Sequence, residues 1–517
     1  MRHATAHSPV PITVPRSRSH DGRFGRMFGQ GFSVWQPPGA TDAEREAAIS
    51  DFAIEMFGDD EPADSATPVG YTYFGQFIDH DITFDPQSSL TKSNDPNGLK
   101  NFRSPRFDLD SLYGRGPEDQ PYMYDKIRKL DDGFTGYLAT GRGANPDHPE
   151  PDLPRTRDDI AIIGDPRNDE NVIVSQLQLT FIKLHNAILD RLRATPSAAQ
   201  KTGRQLFEEA QRYTVWAYQY MVWNDFVRRI VPEATFRKAL DVVEVPGTGR
   251  SEVVYGLKDV YNWTVNPFMP IEFAAAAYRF GHSMIRAQYL INIEFGLSDD
   301  TDRRPIFANA DDPVPAVPPA DLGGFKILAK NCTIQWDWFF DFPSSFAPRF
   351  PQLAHKIDTH MSRSVFTIPN GPIPNPLAML NIRRGWRMEL PPASEVATAL
   401  GITPMEGLDP MEESLWVYIL KEAETLEQGE RLGPVGGTIV AAVFSGLLRG
   451  DPYSYVHRHP LWTPAHAVVD GAPMFVRPNG TDPDAEWTMA DLIASAGMPI
   501  DADDIQAVIG SNAPVNA

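Results

Sequence analysis

Apolar residues recur at three- and four-residue steps through several long segments of the chain. Ile173, Leu177, Phe181, Leu184, Ile188 and Leu192 follow that spacing and predict an amphipathic helix. Residues 205–230 predict a second helix, rich in aromatic side chains. Residues 271–290, from an alanine run through His282, predict a third. Residues 412–427 and 435–449 predict a helix pair across a Gly/Pro turn. Long connections fall at 131–160, 243–258 and 298–324; the last holds DDPVPAVPPADLGG, a Pro-rich loop suited to the surface. Alternating strand patterns are few and short, and no fixed-period repeat is present. The expected fold is therefore mainly α, with long ordered loops and little β. An irregular arm is expected over 1–20, one large helical domain over 21–500 and a tail over 501–517.

A length of 517 residues suggests several domains. No Ser/Gly tract or charge block divides the interior, and that favours one. Lys+Arg 47 against Asp+Glu 68 leaves a net charge of −21, a surface that repels phosphate backbones and anionic membranes. Nucleic acid is not an expected partner. The longest charge-free apolar run, 432–448, is 17 residues with several Gly and Pro, short of the roughly 20 that span a bilayer. It reads as a core helix. A single cysteine, Cys332, excludes an intrachain disulfide and any Cys-ligated zinc or iron–sulfur cluster. The segment MRHATAHSPVPITVPRSRSHDGRF lacks the apolar stretch of a Sec leader. The expected location is cytoplasmic, or outside the cell by a leaderless route.

Candidate chemistry sits in five segments. In GYTYFGQFIDHDITFDP, Gln76 and His80 are four apart and share a helical face, a polar pair able to move protons; Asp79 and Asp81 flank the histidine and point elsewhere. The bland alternative is a partly buried histidine beside two carboxylates. In EFAAAAYRFGHSMIRAQYL, His282 lies among small and apolar residues, where an imidazole can ligate a metal, with Arg279 one turn away. A satisfied core histidine is the commoner case. GDPRNDENVIV places Arg167 and Glu170 three apart, ahead of the periodic helix. NPLAMLNIRRGWRMELPPASEVATALG holds Asn381, Arg383, Arg384 and Arg387, and otherwise reads as a basic turn. In SPRFDLDSLYG, Ser104, Asp108 and Asp110 alternate along an apparently extended stretch, so that oxygen ligands converge on calcium; the alternative is an Asx-rich turn. His457 and His459 in YVHRHP form an H-x-H pair beside a proline, which is usually incidental.

These five segments, in this order, resemble the animal-type haem peroxidases of the peroxidase–cyclooxygenase superfamily, over roughly residues 60 to 465. YILKEAETLEQGERLGPVGGTIVAAVFSGLL resembles the bacterial members in particular. The resemblance implies a single helical haem peroxidase domain, with haem b and Ca²⁺ as cofactors. It implies an enzyme that reduces hydrogen peroxide and oxidises bromide, iodide, thiocyanate or phenols. Under it, His80, Gln76 and Arg167 match the distal catalytic residues. Asp79 and Glu170 match the carboxylates that can form esters to haem methyls. His282 matches the proximal iron ligand and Asn381 the asparagine bonded to it; Arg279 and Arg384 match the arginines near the propionates. Asp81, Ser104, Asp108 and Asp110, with the Arg106 carbonyl, match the calcium ligands.

Two departures refine the expectation. Some mammalian members carry methionine directly after the second ester carboxylate; here Asn171 stands there, so no sulfonium link to haem and no efficient chloride oxidation are expected. The superfamily's fatty-acid oxygenases carry a radical tyrosine three residues before the proximal histidine. That position is Arg279 here, and Tyr278 is one residue off, a turn of about 100° on an α-helix. Peroxidase is therefore favoured over a haem-dependent fatty-acid dioxygenase.

Overall fold

Thr41 and Glu44 open the first long helix with reciprocal hydrogen bonds. The Thr41 hydroxyl accepts from the Glu44 N–H and the Glu44 carboxylate accepts from the Thr41 N–H, starting α1 at Asp42–Glu55. This computed structural model describes residues 24–510, apart from 30, 59, 85–100, 142–150, 246–249, 264–267, 298–301, 309–318, 344–349, 369–374 and 479. The arm expected over 1–20 and most of the Pro-rich loop lie outside the described residues.

α2 is Gly70–Ile82. α3, Val172–Arg193, starts where the Asn171 side chain accepts from the Val174 N–H. It packs against α2 and against α4, Gly203–Tyr220, which opens on its own capping box of Thr202 and Gln205. Its apolar residues are buried on nearly every face. Among the described residues α3 is the one helix long and apolar enough to cross a membrane, and most of it lies inside the protein. α4 runs on into a wider π turn, Met221–Val227, and then Arg228–Ile230. There Phe226 meets α2 at Gly75, where a Cβ would stand 3.0 Å from the Phe226 ring. Close approach of the Phe226 ring to the α2 backbone favours glycine at that point.

The predicted helix over 271–290 is not continuous. α5 covers only Ile271–Ala275, Ala276 leaves helical geometry at φ −137 and ψ −71, and a tighter 3₁₀ turn follows at Ala277–His282. Four alanines favour helix locally. Here the Ala274 carbonyl is instead taken by the Arg279 Nε–H at 2.9 Å, and the Arg279 carbonyl accepts from the Trp416 indole at 3.1 Å. Tertiary partners override propensity and reset the direction of the chain just before His282.

α6 is Leu377–Arg387, packed on α1. α7, Leu415–Glu427, and α8, Pro434–Gly450, form the expected pair, and both pack on the 277–282 turn. The Glu422 carboxylate accepts from the Val435 and Gly436 N–H groups, so an acid on α7 caps the start of α8.

The described strands pair two by two. The connection expected over 243–258 is partly a hairpin: Asp241–Val245 pairs antiparallel with Arg250–Val254. The expected tail also differs, since Ala502–Gly510 is helical and only 511–517 lie outside the described residues. Buried apolar side chains from Phe28 to Met498 form one contiguous cluster around α2, α3, α7 and α8.

Candidate active site

Successive residues of an α-helix point about 100° apart, and α2 serves two sites that way. Gln76, Asp79 and His80 line a cavity of about 340 Å³. Asp81, the next residue, is buried against Asp108 and Asp110 instead. Asp79 thus borders the same cavity as His80, rather than pointing away from it as the sequence suggested.

The cavity brings together residues far apart in sequence. His282 and Arg279 enter from the 277–282 turn, and Glu170 and Asn171 from the start of α3. His80 is buried and His282 half-buried, and both are neutral imidazoles. His80 Nδ1 lies 2.7 Å from Asn168 Oδ1, and burial, helped by Arg167, lowers its pKa to about 4. His282 Nδ1 lies 2.8 Å from the Asn381 Nδ2, and burial, followed by Arg279, lowers its pKa to about 3. Gln76 Nε2 donates to Glu170 Oε1, and Asn171 Nδ2 donates to Gln76 Oε1 at 3.3 Å. Burial raises the Glu170 pKa to about 7 even though Arg167 acts against it.

Arg167 does not line this cavity. Its guanidinium donates to Asp165 Oδ2 at 2.7 Å and to the carbonyls of His80 and Thr83, and lies 4.7 Å from the Phe84 ring centre. Burial disfavours the Asp165 carboxylate, yet Arg167 and Arg103 hold it well below the usual carboxylate range. Arg167 and Arg384 instead line an adjoining cavity of about 170 Å³, which Arg279 and Asp79 border as well. Three cations around one small space suit the anionic edge of a ligand seated in the larger cavity.

The acidic cluster has one ligand oxygen from each of Asp81, Asp108 and Asp110 within 4.8 Å of the others. Burial, then repulsion from Asp108 and Asp110, pushes the Asp81 carboxyl well above its usual range. The expected extended stretch is not what gathers these groups. Residues 103–108 bend repeatedly, Leu109 is left-handed at φ 54, and Asp110 begins a short helix, Asp110–Tyr113. Leu109 is buried, and its N–H donates to Asp81 Oδ2 at 3.3 Å, so the strained residue ties the loop to α2. Ser104 Oγ and Asp81 Oδ1 are buried without a hydrogen-bond partner. Arg106 lies between, with its guanidinium 5.7 Å from the Trp263 ring centre.

Four residues that sequence reasoning did not single out join these sites. Asn168 holds His80, and Gln178 on α3 holds Asn168. Arg103 pairs with Asp110 at 3.2 Å and with Asp165 at 2.7 Å, so one side chain links the acidic cluster to the turn that carries Arg167. Asn168 and Asp165 stand inside the GDPRNDENVIV segment beside Arg167 and Glu170. Nothing in their spacing marks them. His457 and His459 lie near the surface, away from both sites; His459 packs on Trp216.

Residues 90–307 match the family model for animal haem peroxidase. The chain is similar to a chorion peroxidase of Drosophila melanogaster, 25% identical over 312 residues, covering 56% of this chain and 34% of that protein. The chain thus aligns with about a third of that relative's length. The solved structure of peroxidase A from Dictyostelium discoideum is similar in fold, with a TM-score of 0.59, 16% identity and 93% of each chain covered. So is a fatty acid alpha-dioxygenase of Arabidopsis thaliana, with a TM-score of 0.54, 15% identity, and 95% of this chain and 80% of that one covered.

Proposed function

We propose that this chain, which belongs to the animal haem peroxidase family, reduces hydrogen peroxide and oxidises small donors such as bromide, iodide, thiocyanate or phenols. One observation carries the reading. Two neutral histidines from distant segments line one cavity, and each has its Nδ1 against an asparagine amide.

Haem and calcium are the cofactors of this family, and the residues present fit both. A neutral imidazole is the donor iron takes. His282 would hold the iron through Nε2, which places the proton on Nδ1 and turns the Asn381 amide so that its oxygen accepts. That turn gives up only a 3.5 Å contact from Arg279 Nη1 to Asn381 Oδ1, at the outer limit of a hydrogen bond. Arg279, Arg384 and Arg167 suit the propionate edge, and Asp79 and Glu170 are the carboxyls available for ester bonds. The unpartnered oxygens of Asp81 and Ser104 are what a bound cation leaves behind. Asp81, Ser104, Asp108 and Asp110, with the Arg106 carbonyl, are hard oxygen donors of the kind calcium prefers.

Haem, when bound, supplies the redox centre for peroxide reduction. The protein supplies proton handling. His80 Nε2 takes a proton from hydrogen peroxide and returns it to the departing oxygen, so that water leaves. Gln76 orients the peroxide beside it. Arg167, paired with Asp165, donates to the His80 and Thr83 carbonyls and so fixes the end of α2 that presents His80. In total, hydrogen peroxide gains two electrons and two protons and becomes two waters, while two phenols each give up one electron and one proton.

A fatty-acid dioxygenase is the second reading, favoured by one observation. Tyr278 lines the same cavity, beside apolar Phe280, Met284, Ile285, Ile306 and Phe307. Its hydroxyl donates to the Gly75 carbonyl at 3.1 Å.

The test is an absorption spectrum of the chain expressed with a haem precursor, followed through addition of peroxide. A Soret band that shifts with peroxide and recovers with bromide or a phenol is the expected result. A Soret band indifferent to peroxide, with oxygen uptake on a fatty acid alone, moves the assignment to the dioxygenase. His282→Ala is expected to lose stable haem, and unchanged haem content in that variant removes the iron-ligand assignment.

A further inference from the structure

His80 Nδ1 is the end of a hydrogen-bonded row that begins at a main-chain carbonyl. The Ser111 carbonyl can only accept, and Gln178 Nε2 stands 3.2 Å from it. Gln178 therefore presents its Oε1 to Asn168, which donates from Nδ2 at 2.8 Å. Asn168 in turn presents Oδ1 to His80 Nδ1 at 2.7 Å. An amide oxygen only accepts, so Nδ1 carries the proton. Turning either amide over sets acceptor against acceptor or donor against donor somewhere in the row. Ser111, Gln178 and Asn168 are fully buried, so water does not relieve such a clash.

We propose that Asn168 and Gln178 are positioning residues that lock His80 in one tautomer, with Nδ1 protonated and Nε2 left as the free base on the cavity side. The proposal rests on the reading of His80 as the peroxide base, and it gives that reading a built-in direction. Both partners sit on firmly held elements. Asn168 lies in a turn, Pro166–Asp169, whose Asp169 is paired with buried Arg155, and Gln178 lies within α3. No proton leaves the row during the reaction; its role is to orient the ring and assign the proton.

The tautomer is read by nitrogen NMR on the full-length chain labelled at histidine, both haem-free and carrying zinc protoporphyrin as a diamagnetic stand-in. The expected His80 signal is a single Nδ1–H form. Asn168→Leu and Gln178→Leu are expected to give mixed or Nε2–H forms. Asn168→Asp, whose carboxyl in its acid form donates to Gln178 Oε1 and accepts from Nδ1–H, is expected to restore Nδ1–H. With haem bound, Asn168→Leu should slow the reaction with peroxide by roughly tenfold to a hundredfold at unchanged haem content, and Asn168→Asp should recover most of it. An Nε2–H signal in the unaltered chain overturns the proposal, and that spectrum needs no variant to fold. So does an Asn168→Leu protein with the same tautomer and the same rate. A chain that takes up no haem overturns the peroxidase reading instead, and the tautomer is still measurable in it.

Discussion

Glu170 combines burial with a site carboxylate. Burial lifts its pKa to about 7; Arg167 and the Gln76 hydrogen bond pull the other way, while Asp165 and Asp79 add to the rise. Its folded pKa therefore lies above the unfolded value of about 4.3. Between those values the folded chain holds a proton that the unfolded chain has released. The stabilisation is complete below the unfolded pKa and is lost as pH rises through about 7. Glu170→Gln removes that dependence without changing shape. The haem-free variant should gain thermal stability relative to the parent chain as pH goes from 5 to 8, and parallel melting curves at both pH values would refute the buried-acid account. A second prediction at this scale concerns Arg167, whose guanidinium is tied to Asp165 and to the His80 and Thr83 carbonyls. Arg167→Met should keep haem yet react with peroxide more slowly, by roughly tenfold or more, in stopped-flow absorbance, since it unties the end of α2 that positions His80.

At the level of elements, α3 joins fold to site through its N-cap residue. Asn171 caps the helix through Oδ1 and reaches Gln76 through Nδ2, so one side chain fixes both the start of α3 and the amide beside Glu170. Asn171→Ala should destabilise the chain by about 1 kcal/mol, the usual value of a lost cap, measured by denaturant unfolding. α3 itself was legible in the sequence, because Ile173 to Leu192 keep helical period; the burial of its other face, with Gln176, Gln178 and His185, was not. The shared face of Gln76 and His80 was legible for the same reason. The break at Ala276 was not: it depends on Arg279 and Trp416 claiming carbonyls, and a run of alanines carries no trace of that competition. The meeting of Asp81, Asp108 and Asp110 was legible and the shape of the loop was not, since a left-handed leucine, not an alternating strand, leads into Asp110. Asn168 and Gln178 were invisible because an amide's role depends on what faces it across the core, not on its spacing along the chain.

Across the whole molecule, the acidic cluster and the histidine cavity are joined through shared elements. Asp81 and His80 are neighbours on α2, and Arg103 connects Asp110 to Asp165, which holds Arg167. Emptying the cluster of its cation leaves three buried or half-buried carboxylates within 4.8 Å of one another, in a chain whose net charge is already −21. Their repulsion is relieved either by taking up protons, as the raised Asp81 carboxyl indicates, or by the loop moving away from α2. Calcium bound only to the folded chain stabilises it by about 2.7 kcal/mol at a hundredfold excess over its Kd. A chelator should therefore lower the melting temperature, and added calcium should restore it. Magnesium should restore less, because it demands a tighter octahedral shell than a bent loop supplies. Because α2 carries both sites, chelation should also slow the reaction with peroxide before haem is lost. Asp108→Asn should reproduce both effects in the presence of calcium. Elemental analysis finding no ion in folded, active protein would remove the calcium site, and the cluster would then be a proton-sharing carboxyl group that braces α2 in its acid form.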